Sequence, residues 1–365
     1  MYKIVGTKIR KLREEMGLTQ QELAKSVGLS SEFICHLELG RRVPSLESLS
    51  RIAKFLKKDF SYFIVEKEVS FSLLLRGEGL DKKAKRVLKK FQSRCNDYLE
   101  LEDLTGRHSN LAPLYTNVTA GRMAEQERRR LGLGNEPVRN IFFLLELNGL
   151  RVLRLPVHEE SKIAGVYIFV ELKQAAFTLV NSNQTLGRQV STAAHEYGHY
   201  LKDRYDGPVI DNPDIFIDEY LSLYHPRERF AQKFATYFLM PRDKVEEIIE
   251  KDIRLSRLGF EDVLYLKRYF GVDTLAMLRT LREMGYISAT RFKEYQKLDA
   301  SQYEEPLFGN LKDESQIKTG RGRATISDRF ISLALEAFRK KKITEEKLAK
   351  LIHKNKTQVE SIAKR

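Results

Sequence analysis

The sequence predicts an α+β chain that is mostly α. It comprises an all-α amino-terminal unit with a helix-turn-helix, a helical connector, a small antiparallel sheet followed by a helix carrying H-E-x-x-H, and a helical carboxyl-terminal region. Three observations carry this. Residues 1–60 are short apolar-periodic segments broken at Gly17, Gly28, Gly40 and Pro44, the pattern of four or five short helices. Residues 151–155, 165–170 and 177–180 gather β-branched and aromatic side chains between polar breaks, as strands do. The helical period then returns at 190–201, at 226–239 with a stop at Pro241, and through 243–298 with turns at Gly271 and near Gly285.

At 365 residues the chain is long enough for two or three cores, since a domain takes about 100–200. The expected organisation is a helical unit at 1–65, an amphipathic helical connector at 66–117, the sheet and its helices at 118–298, and a basic helical tail at 299–365. The connector's apolar stripe includes Leu73, Leu74, Leu80, Ala84, Leu88 and Phe91, and a loose linker is expected between Glu304 and Gly322. Apolar residues at 42% and charged residues at 31% exclude a disordered or fibrous chain. No apolar run approaches the roughly 18 residues of a membrane helix, so no membrane partner is expected. The start lacks the basic and apolar regions of a signal peptide, and the expected location is cytoplasmic. Cys35 and Cys95 are the only cysteines, too few for a disulfide framework or a cysteine zinc site. A net charge of +14 points to a polyanionic partner. The tail from 311 contributes 15 Lys and Arg against 7 Asp and Glu; it reads either as a solvated face or as a helical pair, 343–352 and 356–362, that touches DNA or closes a dimer.

Within the first unit, Thr19 and Glu22 have the spacing of a capping box that starts a helix, and small Ala24 allows a close crossing. Gly28 supplies a tight turn and Ser30 caps a second helix through Glu38. On that helix Ile34 and Leu37 face inward, leaving Ser31, Glu32, Cys35 and His36 outward. This string, continued by Leu39-Gly40-Arg41-Arg42-Val43-Pro44 and by Leu49, Ile52, Ala53 and Leu56, resembles the Cro/repressor-like helix-turn-helix family. The resemblance implies a DNA-binding regulator. In it Gln20 meets a phosphate, Ser31, Glu32 and His36 approach base edges in the major groove, and Arg41 and Arg42 add charge toward the backbone. The plainer alternative is a helix-turn-helix kept for protein contact or dimerisation.

His195-Glu196-Tyr197-Gly198-His199 lies in a helical stretch, and the i, i+4 spacing sets both histidines on one face, close enough to share a zinc ion. Glu196 stands beside them as the base that activates water. Ala193, Ala194 and Gly198 mark a tightly packed helix rather than a solvated one. For a third ligand, Glu228 shares a helical face with Ala231, Gln232 and Ala235, and a carboxylate in that company needs a partner. Glu228 is therefore favoured over Glu219, Asp218 and His225; His225 is assigned to substrate or oxyanion contact, or to the surface.

These residues, with Arg188-Gln189, the lead-in Phe177-Thr178-Leu179-Val180-Asn181 and the later Phe238-Leu239-Met240-Pro241, resemble the ImmA/IrrE family of zinc metallopeptidases across about residues 118–290. The family usually has Asn where Gln232 stands and a bulkier run in place of Ser191-Thr192-Ala193-Ala194. The resemblance implies a zincin-like peptidase domain with Zn2+ as cofactor. Its substrate would be a regulatory protein, either a helix-turn-helix repressor or the chain itself, cleaved in a stress or mobile-element response. Its other expected partner is operator DNA, bound as a homodimer. Residues 165–170 or 177–180 could offer a sheet edge to an extended substrate. The competing function is a repressor or antitoxin-type autoregulator whose peptidase-like domain senses a partner with little turnover.

Overall fold

The computed structural model describes residues 2–56, 58, 63, 80–211, 225–253, 258–309, 325–355 and 358. The first helices are α1 (Tyr2–Glu15), α2 (Gln20–Val27), α3 (Ser31–Glu38) and α4 (Leu46–Phe55). Thr19 accepts from the Glu22 amide at 3.2 Å while its own amide donates to Glu22 at 2.7 Å, the reciprocal box expected from the sequence. Gly28 ends α2 at φ 64, and Ser30 caps α3 by accepting from the Phe33 amide. Ile9, Leu23, Ala24, Ile34, Leu37 and Ile52 meet in a separate small core.

Three helices follow: α5 (Lys82–Thr105), α6 (Ala120–Arg130) and α7 (Ile141–Leu147). The sheet is built from β1 (Leu150–Leu155), β2 (Gly165–Val170), β3 (Ala175–Asn181) and, beyond α8 (Leu186–Lys202), β4 (Val209–Asp211). Its order is β1-β3-β2-β4. The expectation of a purely antiparallel sheet needs one correction. The β2–β3 and β2–β4 pairs are antiparallel, but β3 folds back between β1 and β2 and runs parallel to β1. Alternation along a strand records which face is buried and carries nothing about the direction of the neighbour. β3 is thus internal. On its other side β2 is paired by β4 only at Gly165–Tyr167, so no part of β3 and only the rest of β2 could serve as an edge.

Helices then run as α9 (Pro226–Leu239), α10 (Arg242–Ile248) with a wider turn through Ile253, α11 (Phe260–Phe270), α12 (Thr274–Glu283), α13 (Ala289–Gln296), α14 (Ala300–Phe308), α15 (Asp328–Arg339) and α16 (Glu345–Ile352). The first part of the expected linker is α14, which carries Pro306 within it. Packing decides this: Tyr303 meets the Phe260 ring at 5.2 Å, and Glu304 pairs with Lys267 at 2.9 Å. Residues 310–324, like Leu73 and Leu74 of the connector, lie outside the described residues. No described helix is long and apolar enough to cross a membrane.

Both faces of the sheet are covered. Val152, Tyr167, Phe169 and Val180 pack on α8, while Leu153, Ile168 and Phe177 pack against α5, α15 and α16. This is why β1 to β3 are buried almost throughout instead of alternating. The segment expected as a connector and the basic tail therefore close the rear of the sheet. Arg151 fastens them. Fully buried in β1, it makes a two-pronged pair with Glu102 of α5 at 2.6 and 3.1 Å, and Arg329 of α15 reaches the same carboxylate at 3.1 Å. Glu102→Ala would leave the Arg151 guanidinium buried without its anion. The expected cost is about 3–5 kcal/mol in denaturant unfolding, whereas Arg151→Met combined with Glu102→Leu should cost far less.

Candidate metal centre and nucleic-acid interface

The site is assembled by one strand-to-helix turn and one helix crossing. At the end of β3, the Asn181 side chain accepts from the amides of Val157 at 3.1 Å and Asn183 at 2.9 Å and donates to the Ile163 carbonyl, fixing the turn that launches α8. Against α8 lies α9. A Cβ on Gly198 would sit 3.0 Å from Phe234 Cδ1 and 3.2 Å from Ala231 Cα, so the glycine sets how near the two helices come. Ala231 and Ala235 form the matching face of α9 and are buried.

That crossing brings Glu228 onto the two histidines. Nε2 of His195 and Nε2 of His199 are 3.1 Å apart, and the Glu228 oxygens lie 3.1 Å from the first and 3.5 Å from the second. All three ligand atoms fall within 4.8 Å of one another. Nitrogen and oxygen ligands at about 2.0–2.1 Å from zinc, at the tetrahedral angle, stand about 3.3 Å apart, so this donor set fits a zinc-sized cation. Nδ1 of His199 faces Asp203 at 3.2 Å, the carboxylate partner that holds a ligand imidazole in orientation. Burial drives the His195 pKa down to about 4, aided by the neighbouring imidazole. At His199 the same burial is outweighed by Asp203 and Glu228, which raise it to about 10. Glu228, though burial works against it, is held below the usual carboxylate range by the two histidines.

Glu196 is fully buried, and neither of its oxygens has a hydrogen-bond partner among the described residues. Burial, and then the charge of Asp211, push its pKa well above the ordinary value. Asp211 is the last residue of β4, opposite Gly165 of β2, and is itself buried with both oxygens unpartnered among the described residues. Gly165 makes the space that Glu196 occupies: a Cβ there would lie 2.2 Å from Glu196 Oε1. Three contributors were therefore not singled out from sequence. Asp203 had a usable signal in its i+4 spacing from His199; Gly165 and Asp211 had none, because they reach the site only through sheet register. His225 is exposed at the head of α9, and Asp218 and Glu219 lie outside the described residues.

In the amino-terminal unit, Ser31, Glu32, Arg41 and Arg42 are exposed and His36 is half-buried. The Arg42 guanidinium lies 5.7 Å from the Phe33 ring centroid. Gln20 is engaged internally: its amide donates to Glu38 at 2.7 Å, and Glu38 is gripped by Arg13 at 2.6 and 3.0 Å. That buried pair ties α1 to α3, an anchor that no local pattern in the sequence signals.

Gly165→Ala tests the packing around Glu196. The added methyl must displace Glu196 and also meets Thr192 Cγ2 at 2.7 Å, so a destabilisation of about 1–3 kcal/mol is expected in thermal unfolding, with metal content unchanged. Wild-type stability in this variant would refute the contact between β2 and α8.

A helix-turn-helix family model matches residues 9–63, and the model of the IrrE N-terminal-like domain matches residues 146–282. An uncharacterised HTH-type transcriptional regulator of Methanothermobacter thermautotrophicus is 49% identical over 53 residues, 14% of this chain and 77% of that protein. A second such regulator, from Sinorhizobium fredii, is 41% identical over 56 residues, 15% of this chain and 73% of its own length. The ImmF control region 10 kDa protein of Bacillus phage phi105 is 39% identical over 59 residues, 16% of this chain and 66% of that protein. With its capped helix-turn-helix at one end and a His-His-Glu cluster behind it, the chain belongs to the HTH-type transcriptional regulators and carries an IrrE-like, metallopeptidase-like domain.

Proposed function

We propose that this regulator is a zinc-dependent endopeptidase that cleaves a regulatory protein, either a helix-turn-helix repressor or its own chain, and that it reads its operator as a homodimer. The supporting observation is the convergence of His195, His199 and Glu228 beside the buried carboxylate of Glu196, unpartnered among the described residues. On this reading residues 118–298 form the peptidase, residues 1–65 the DNA reader, and 66–117 and 299–365 flank them. His195, His199 and Glu228 hold zinc, which when bound polarises a peptide carbonyl and brings the ionisation of water close to neutral pH. Glu196 takes the proton from the attacking water and delivers it to the leaving amine. Asp203 keeps His199 turned so that Nε2 faces the other ligands. His225, exposed at the start of α9, is assigned to the substrate side.

Glu196→Gln keeps the shape of the side chain and removes the base. Zinc content by elemental analysis should stay at about one per chain. Cleavage of a co-produced helix-turn-helix client should fall by about 10²-fold or more. A His195→Ala, His199→Ala double variant should instead lose the metal. A Glu196→Gln protein that regulates its promoter and responds to induction as wild type does would replace the enzyme with a sensing module of little turnover.

For the DNA reader, Ser31, Glu32 and His36 are assigned to base edges, Arg41 and Arg42 to the backbone, and Gln20 to a phosphate through the amide hydrogen not given to Glu38. Ser31→Ala combined with His36→Ala should flatten discrimination between operator and random duplex, a good base-edge interaction being worth about 1–3 kcal/mol. Arg41→Ala with Arg42→Ala should weaken both duplexes alike. Unchanged operator selectivity in the first variant would sink the groove assignment.

A further inference from the structure

The carboxyl-terminal helices repeat the geometry of the amino-terminal helix-turn-helix. α2 and α16 are each eight residues long and are capped by Thr19 and Thr344 at closely similar angles, φ −77, ψ 162 and φ −79, ψ 162. Each threonine accepts from the amide three residues on, Glu22 or Lys347. Nine residues after the cap each helix stops in a left-handed residue, Gly28 at φ 64 and His353 at φ 52. The next amide bonds five residues back in both, Leu29 to Ala24 at 2.9 Å and Lys354 to Ala349 at 3.0 Å. One residue further a new cap opens: Ser30 accepts from Phe33 at 3.1 Å, and Asn355 accepts from Gln358 at 2.8 Å.

The side chains follow the same register. Leu348 and Ile352 are buried where Leu23 and Val27 are, and Ala349 stands in the place of Ala24. In the sequence beyond, Val359 and Ile362 have the same spacing from Asn355 as Ile34 and Leu37 have from Ser30. The preceding helices also end alike: Gly17 and Leu18 bond to Glu14 and Arg13, and Lys341 and Lys342 bond to Phe338 and Ala337. Lys341 and His353 hold positive φ without being glycine, a conformation that persists only where packing imposes it.

We propose that residues 328–355 repeat the opening helices and turn of the first helix-turn-helix and that they bind duplex DNA through the phosphate backbone. Charge selects this partner. Lys341, Lys342, Lys350 and Lys354 are carried on and around α16, and Lys85, Arg86, Lys89 and Lys90 are exposed on the adjoining α5. Between α5 and α16 runs a groove of ≈ 780 Å³ whose lining includes Lys90, Arg94, Lys350 and Lys354, with Asp97 and Glu346 as its acids. At the positions corresponding to Ser31, Glu32, Cys35 and His36 the sequence has Lys356, Thr357, Glu360 and Ser361, one basic and one acidic residue among them.

The test uses the full-length protein in an Arg41→Ala, Arg42→Ala background, which weakens the first unit, with fluorescence anisotropy on a random-sequence duplex across a salt series. Adding Lys342→Glu, Lys350→Glu and Lys354→Glu should raise Kd at least tenfold and flatten the log–log salt slope by about 0.9 for each phosphate no longer neutralised. A control with the same charge change on residues elsewhere, Arg139→Glu, Lys293→Glu and Lys297→Glu, should leave the slope within about 0.5 of the background. Glutamine substitutions at the first three lysines supply a milder set if the reversed charges unfold the tail, and should also flatten the slope. Equal slopes in the lysine variants and the control would overturn the proposal and assign the unit to protein contact.

Discussion

The close crossing of α8 and α9 is the constraint on which the rest of the site depends. His195 and His199 share one helical turn, and the third member of the cluster, Glu228, comes from a separate helix. Gly198 against Ala231 and Phe234 sets the spacing of the two helices and leaves Glu228 within reach of both imidazoles. A bulkier residue at the crossing would push α9 outward and carry Glu228 away from His195 and His199. The small Gly198 of the H-E-x-x-H helix is therefore part of the geometry that gathers the His-His-Glu cluster.

Burial around this crossing is charged as well as apolar. Glu196 and Asp211 sit without hydrogen-bond partners among the described residues, and Arg151 and Glu102 are both buried on the opposite face of the sheet. Arg151 and Glu102 neutralise each other at short range, so their desolvation is offset locally. Glu196 and Asp211 have no hydrogen-bonded countercharge of that kind among the described residues. The sheet between the two pairs is covered on both faces, one of them by α5, α15 and α16.

The DNA-binding unit is joined to this body by more than its chain connection. Lys8 of α1 pairs with Glu171, at the turn between β2 and β3, at 3.7 Å, and both side chains are buried. The Glu14 carboxylate is bonded by Thr116 as well as by Arg10. The same β2–β3 hairpin carries Gly165 beside Glu196, so one supersecondary unit touches both the amino-terminal helices and the buried Glu196 carboxylate.

Local signals in the sequence determined a great deal. The capping box, the glycine turn after α2, the inward Ile34 and Leu37, and the His195–Glu196–His199 spacing all involve residues within a few positions of one another, where helix geometry alone fixes who can meet. Glu228 was legible for a related reason: a carboxylate on a small-residue helical face is unusual enough to need a partner. Tertiary closure decided the rest. The parallel β1–β3 pair, the pairing of β4 with part of β2, the helix through Pro306 and the placing of α5 and α15 against the sheet depend on contacts between distant segments. So do Gly165 and Asp211 at the site, and the periodicity of either partner is the same whether or not the contact forms. A strand pattern states which face is hidden; only the folded chain states what hides it.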